Sequence, residues 1–190
     1  AWVERSIRSV AGLTRTTCVL AAVRDATPPA LVEESGVPPF TAGPWLFAHN
    51  GAVEGFADPG GSGVRLRRMV SDIRVAAIEG SSDSEVLFAL ILDRLDAGDD
   101  PAIALARVVA EVGALGPARL NLVLTDGHHV AATASGNSLF VLESDGAVVV
   151  ASEPYDDDPR WQPVPDGSSV GANASGATVA PLTPAGRSRS

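Results

Sequence analysis

Lysine is absent from the 190 residues, and cysteine, methionine and tyrosine occur once each. Without lysine there is no Schiff base to form and no lysine to act as a base. The lone cysteine, Cys18, cannot make an internal disulfide and argues against a cysteine-based zinc site. Positive charge is also scarce, with 14 basic against 23 acidic residues and a net charge of -9. Nucleic acid and anionic membrane surfaces both need a basic footprint, so neither is expected as a partner. No apolar run approaches the roughly 18 residues of a membrane span, and the opening AWVERSIRSV does not read as a signal peptide. What remains is 45% hydrophobic and 19% charged, which excludes wholesale disorder. At this length the chain is one domain's worth, able to bury roughly 70% of its unfolded surface. A soluble, cytoplasmic, globular domain is the expectation.

Along the chain, Trp2, Val3, Ile7 and Val10 recur at near-helical spacing and predict a short helix over 2–10. TTCVLAAV (16–23) is β-branched and apolar, the pattern of a strand covered on both faces. After a Pro- and Gly-rich connection, WLFAHNGAVEGF reads as strand, turn, strand. Residues 64–79 fit helix or strand equally. SSDSEVLFALILDRLDAG predicts a helix: Ser82 and Glu85 make a capping box, Val86, Leu87, Leu90, Ile91 and Leu95 the buried stripe, and Gly98 the stop. A second helix runs from Pro101 to about Val112. RLNLVLTD, HVAATAS, SLFVLES and AVVVASEP then give four strands. The last 18 residues, from Asn173, are small and polar with two prolines, and fraying is expected there. The order of elements points to an α+β layered fold.

Three short motifs carry chemistry, each with a plainer alternative. Arg24 ends an apolar run, where its guanidinium offers a bidentate fork for a carboxylate or simply a surface ion pair. His49, Asn50 and Gly51 lie between two apolar stretches. Asn-Gly there favours a type I′ hairpin turn. It would also suit an oxyanion hole, the Asn50 amide and the Gly51 N–H aiming at one point. His49 by itself reads as a packed or hydrogen-bonded core histidine. Asp83 complements the dipole of its helix, or pins an ammonium group at a pocket mouth. His128 and His129 have no metal-site spacing. Asp156, Asp157 and Asp158 read as a solvated run, without the glycine punctuation of an EF-hand loop. Cys18 reads as a small core residue.

In this order, AAVRDAT, PWLFAHNG and GSSDSE resemble the class II glutamine amidotransferases, the N-terminal-nucleophile (Ntn) glutaminases. NLVLTDGHHVAATASGNSLFVLES and VVVASEPYDDDPRWQPVPDGS look like the family's second half, so the likeness runs from about Trp2 to Val170. AVRDAT and ASEPYDDDPRWQPVP look most like the stand-alone γ-glutamyl hydrolase branch of ergothioneine biosynthesis. The resemblance implies a four-layer αββα sandwich of antiparallel sheets, with the domain at 1–172 and a flexible tail at 173–190. It implies hydrolysis of a γ-glutamyl amide with release of glutamate, without cofactor or metal. By resemblance, Asn50 and Gly51 form the oxyanion hole, Arg24 holds the substrate α-carboxylate, and Asp83, with His49 beside it, lines the glutamyl site. The other readings are a glutaminase subunit delivering ammonia to a separate synthase, or a non-catalytic module binding γ-glutamyl compounds or a partner. The sequence departs from the family in three places. Position 1 is Ala where the family has its nucleophilic Cys, the early Asp-Gly-Trp-Gly type segment is missing, and Gly55 stands where many members have Asn. The expectation from the first two is that an N-terminal segment is absent and the chain as given is inactive.

Overall fold

A computed structural model describes residues 12–13, 15–23, 37–144 and 146–182. The helix expected over 2–10 and Arg24 lie outside the described residues. Among the described residues are nine strands and four helices: β1 (Phe40–Ala42), β2 (Trp45–Val53), α1 (Ser62–Arg67), α2 (Asp72–Val75), α3 (Asp83–Asp96), α4 (Pro101–Gly113), β3 (Ala118–Thr125), β4 (Val130–Ala134), β5 (Phe140–Ser144), β6 (Ala147–Ala151), β7 (Gln162–Pro163), β8 (Ser168–Asn173) and β9 (Gly176–Pro181). No helix among them is long and apolar enough to cross a membrane.

The strands form two sheets, one of six in the order β1-β2-β3-β4-β8-β9 and one of three in the order β6-β5-β7. Every pairing is antiparallel. Helices α3 and α4 cover one face of the larger sheet, where Phe47, Leu120, Leu122 and Leu124 meet Val86, Leu87, Ile91 and Leu105. The opposite face carries the smaller sheet, joined through Ala132, Val141, Val164 and Val170. Each fully buried Leu or Ile in the first interface contributes about 1.5–3 kcal/mol over an exposed one. The described residues thus build helix, sheet and sheet layers of an α+β fold; the second helical layer of the expected sandwich is not found among them.

The expected helices form for the reasons read in the sequence. Ser82 and Glu85 close a reciprocal capping box on α3, and Asp100 caps α4 with Pro101 in its first turn. Helix α3 is buried beyond its predicted stripe, Phe88, Ala89 and Leu92 included, because α1, α2, α4 and the sheet all pack on it. The four later strands are where the alternating and turn signals put them. The ambiguous stretch becomes two short helices, α1 and α2.

Three expectations are corrected. Residues 16–23 form no strand, and Val19 and Val23 are exposed, since no described element covers their outer side. Asn50-Gly51 is not a turn: β2 runs unbroken through it, with Asn50 paired to Asn121 and Gly51 to Leu120. Residues 173–182 do not fray; β8 and β9 make a hairpin in register from Asn173↔Gly176 to Ser168↔Pro181, its turn closed by Ser175 N–H donating to Asn173 Oδ1. Small side chains fit a sheet edge as well as a loose tail.

Candidate active site at the edge of β2

The phase of the β2–β3 ladder decides where the Asn50–Gly51 peptide points. Glu54 N–H donates to the Pro117 carbonyl at 3.1 Å. In an antiparallel pair the backbone groups of alternate residues face the partner strand. Counting back, Ala52 and Asn50 face β3, while Val53, Gly51 and His49 present their N–H groups to the other edge. Val53 N–H obeys this phase, donating to Asp83 Oδ2 at 2.9 Å across that edge. Strand β1 reaches only to Phe47, so no described strand pairs with β2 at Gly51. The Gly51 N–H and the Asp83 carboxylate therefore share one edge that no described strand covers, separated by the two-residue step of a strand, about 6–7 Å.

Asp83 is the first residue of α3, and its side chain is 19% exposed. Its Oδ1 lies 3.3 Å from Ser84 Oγ, and Oδ2 serves Val53. An ionised carboxylate accepts about four hydrogen bonds, so capacity remains for an ammonium group.

His49 takes the packed-core role. Its side chain is 1% exposed, correcting its placement against substrate. Nε2 meets the Arg119 carbonyl at 3.0 Å and Nδ1 meets Ser84 Oγ at 3.1 Å. A carbonyl only accepts, so Nε2 carries a proton, while Nδ1 meets Ser84 Oγ, whose hydroxyl also reaches Asp83 Oδ1 at 3.3 Å. The imidazole thereby ties the start of α3 to β2 and β3. It can do so because Gly51 has no side chain: a Cβ there would lie 2.8 Å from His49 Nε2 and 1.9 Å from the Arg119 oxygen.

On the other face of β2 the Asn50 side chain is exposed and makes no hydrogen bond to a described residue. Its carbonyl accepts from Asn137 Nδ2 at 3.0 Å. Asn137 is fixed in turn by Asn121, a 3% exposed residue of β3. Asn121 Nδ2 donates to the Asn137 and Ser138 carbonyls at 3.1 and 2.9 Å, and its Oδ1 accepts from Ser135 and Asn137 N–H at 2.9 and 3.3 Å. Sequence reasoning missed Asn121, Asn137 and Ser84. One signal was available, the amide in the middle of the otherwise apolar RLNLVLT.

The remaining candidates fall elsewhere. Cys18 lies beside Thr125, Sγ to Oγ1 3.5 Å, in the wall of a cavity of about 610 Å³. That cavity and two others, of about 340 and 520 Å³, include none of Asn50, Gly51 and Asp83. Burial works against ionisation of Asp126, but the backbone N–H groups of His129 and His128 outweigh it and lower its pKa. Two members of the acidic run are engaged within their own loop: Asp156 accepts from Trp161 Nε1, and Arg160 holds the Asp158 carboxyl down at about 2. No group of three or more His, Cys, Asp or Glu among the described residues is placed to hold a metal.

The family model for glutamine amidotransferases class-II matches residues 3–144. The chain belongs to the class II glutamine amidotransferases. It is 42% identical over 95% of its length to γ-glutamyl-hercynylcysteine sulfoxide hydrolase of Mycolicibacterium smegmatis, covering 71% of that protein. With the hydrolase of the same name from Mycobacterium tuberculosis it shares 40% over 95% of the chain and 70% of the relative. A class II glutamine aminotransferase domain protein from Silicibacter pomeroyi superposes with a TM-score of 0.65 at 28% identity, over 81% of this chain and 74% of that one. The Bacillus subtilis phosphoribosylpyrophosphate amidotransferase matches in fold, with a TM-score of 0.60 at 19% identity over 80% of this chain and 33% of that one. The α+β fold with antiparallel sheets expected of a class II amidotransferase is shared with these neighbours.

Proposed function

We propose that this amidotransferase-family protein hydrolyses a γ-glutamyl amide in the cytoplasm, releasing glutamate, with γ-glutamyl-hercynylcysteine sulfoxide as substrate. The 42% identity to that hydrolase across 95% of the chain carries the reading. The edge of β2 supplies chemistry that fits it. Four bonds of ~1.5 Å separate the glutamyl ammonium from the scissile carbonyl, about 5 Å when extended. That span suits an ammonium on Asp83 and a carbonyl oxygen at the Gly51 N–H and the Asn50 amide. Arg24, outside the described residues, takes the α-carboxylate in this reading, so both ends of the glutamyl group are held in a near-attack geometry.

In the family mechanism the thiolate of an N-terminal cysteine, its proton taken by the α-amine, attacks the amide carbon. Negative charge moves to the carbonyl oxygen, where the two donors of β2 stabilise it. Collapse expels the amine with a proton and leaves a thioester, which water hydrolyses to glutamate and free thiol. Cys18 has no free α-amine and is not this nucleophile. In the protein expressed from its complete gene, Cys18→Ser should leave turnover unchanged, and loss of turnover would refute the assignment. Intact mass and N-terminal sequencing of that protein should find Cys as the first residue.

Removing the charge of Asp83 tests the glutamyl site. Asp83→Asn keeps an oxygen for Val53 N–H but loses a charge-assisted contact of about 1.5–3 kcal/mol, so kcat/KM should fall roughly 10- to 100-fold. A substrate whose glutamyl group is replaced by glutaryl lacks the ammonium, and its turnover should be indifferent to the change. Equal losses on both substrates would remove Asp83 from ammonium binding.

A further inference from the structure

The Asn50 carbonyl and the Gly51 N–H are two ends of one peptide unit, and among the described residues only the N–H end lacks a partner. A peptide group is planar, so fixing the direction of its C=O fixes the direction of its N–H. This carbonyl faces Asn121 in the β2–β3 ladder, and Asn137 Nδ2 adds a second hydrogen bond to it at 3.0 Å. A hydrogen bond to the carbonyl also draws electron density toward oxygen and makes the N–H a stronger donor. Asn137 is not free to turn away, since its own backbone N–H and C=O are both held by Asn121. Asn121 has all four hydrogen-bonding positions of its amide filled, and it is buried. A fully used amide of this kind is a rigid clamp joining β3 to the β4–β5 turn.

We propose that Asn137 is a positioning residue for hydrolysis: as a second donor on the Asn50 carbonyl it stiffens the peptide that the ladder aims, and it polarises the Gly51 N–H, with Asn121 as its anchor. The inference rests on the oxyanion role proposed for Gly51. It assigns Asn137 no contact with substrate, so its effect belongs to the transition state, where the oxygen carries charge, and not to substrate binding.

The test uses Asn137→Ala and the isosteric Asn137→Asp, which removes the donor at constant volume, in the protein expressed from its complete gene. With a γ-glutamyl conjugate as substrate, kcat should fall roughly tenfold while KM stays within about twofold. Affinity for the γ-aldehyde of glutamate, which forms a tetrahedral adduct with a thiol, should fall by the same factor as kcat. Affinity for glutamate itself should not change. Independently of turnover, the amide ¹⁵N and ¹H resonances of Gly51 should shift more than those of Ala48 or Val53 in both variants. An unshifted Gly51 amide in a folded variant overturns the inference, as does a raised KM at unchanged kcat. If the unaltered protein cleaves no γ-glutamyl amide but Gly51 shifts as expected, the clamp stands and the functional reading fails.

Discussion

Gly51→Ala should cost the fold about 3 kcal/mol and lower Tm by roughly 6–12 °C, with hydrolysis lost alongside. The new Cβ would sit 1.9 Å from the Arg119 oxygen, 2.6 Å from its carbonyl carbon and 2.8 Å from His49 Nε2. None of these is the loose end of a flexible chain. The oxygen and carbon belong to the neighbouring strand, and the imidazole is held at both nitrogens. Relief requires β2 and β3 to spread or the ring to leave, and either one disturbs the peptide that carries the proposed oxyanion donor. Gly171 in β8 is the matching control: a Cβ there meets nothing within 4 Å, and Gly171→Ala should change stability by less than about 0.5 kcal/mol. Thermal melts of the two variants decide the matter. A Gly51→Ala protein melting within about 2 °C of the original would show that the strand pair yields cheaply.

The same glycine marks where the sequence was legible and where it was not. Ser82 and Glu85 announce the start of α3 because a capping box is a contact three residues long, and locality makes it readable. The strands from Ala118 to Ala151 are readable for a like reason, apolar patterning broken by turn residues. Asn50-Gly51 looks like a hairpin turn on local propensity, yet it lies within β2 because β3, some seventy residues away, pairs with it, and the Arg119 carbonyl of that strand leaves room only for glycine. Nothing near Gly51 in sequence shows that carbonyl. Resemblance to the family singled out Asn50, Gly51 and Asp83, and the ladder phase brings the last two to one edge. It did not single out Ser84, Asn121 or Asn137, whose work is to hold backbone groups contributed by distant segments. His49 was taken with its neighbours, but the twofold alternation of a strand turns its side chain toward α3 and away from the face of Asn50. The segment 16–23 shows the opposite failure. An unbroken apolar run predicts cover on both faces, and the described residues leave Val19 and Val23 open.

Asn50 separates chemistry from architecture more cleanly than any neighbour. Its backbone is embedded in the clamp, but its side chain is exposed and supports no described contact, so Asn50→Ala should leave Tm nearly unchanged, within about 0.5 kcal/mol in stability. If the amide donates to the developing oxyanion, kcat should nevertheless fall by about 10²–10³, with KM little altered, because the interaction strengthens only as charge moves to the oxygen. Asn50→Asp sharpens the argument. It preserves shape but sets a carboxylate against the forming negative charge, and should be at least as damaging as the truncation. Steady-state kinetics on a γ-glutamyl conjugate would separate the possibilities. A raised KM with kcat intact would make Asn50 a ground-state contact, and the Gly51 N–H would then remain as the only oxyanion donor assigned to β2. In that case the Asn137 clamp would bear more of the catalysis, and its variants should lose more than tenfold.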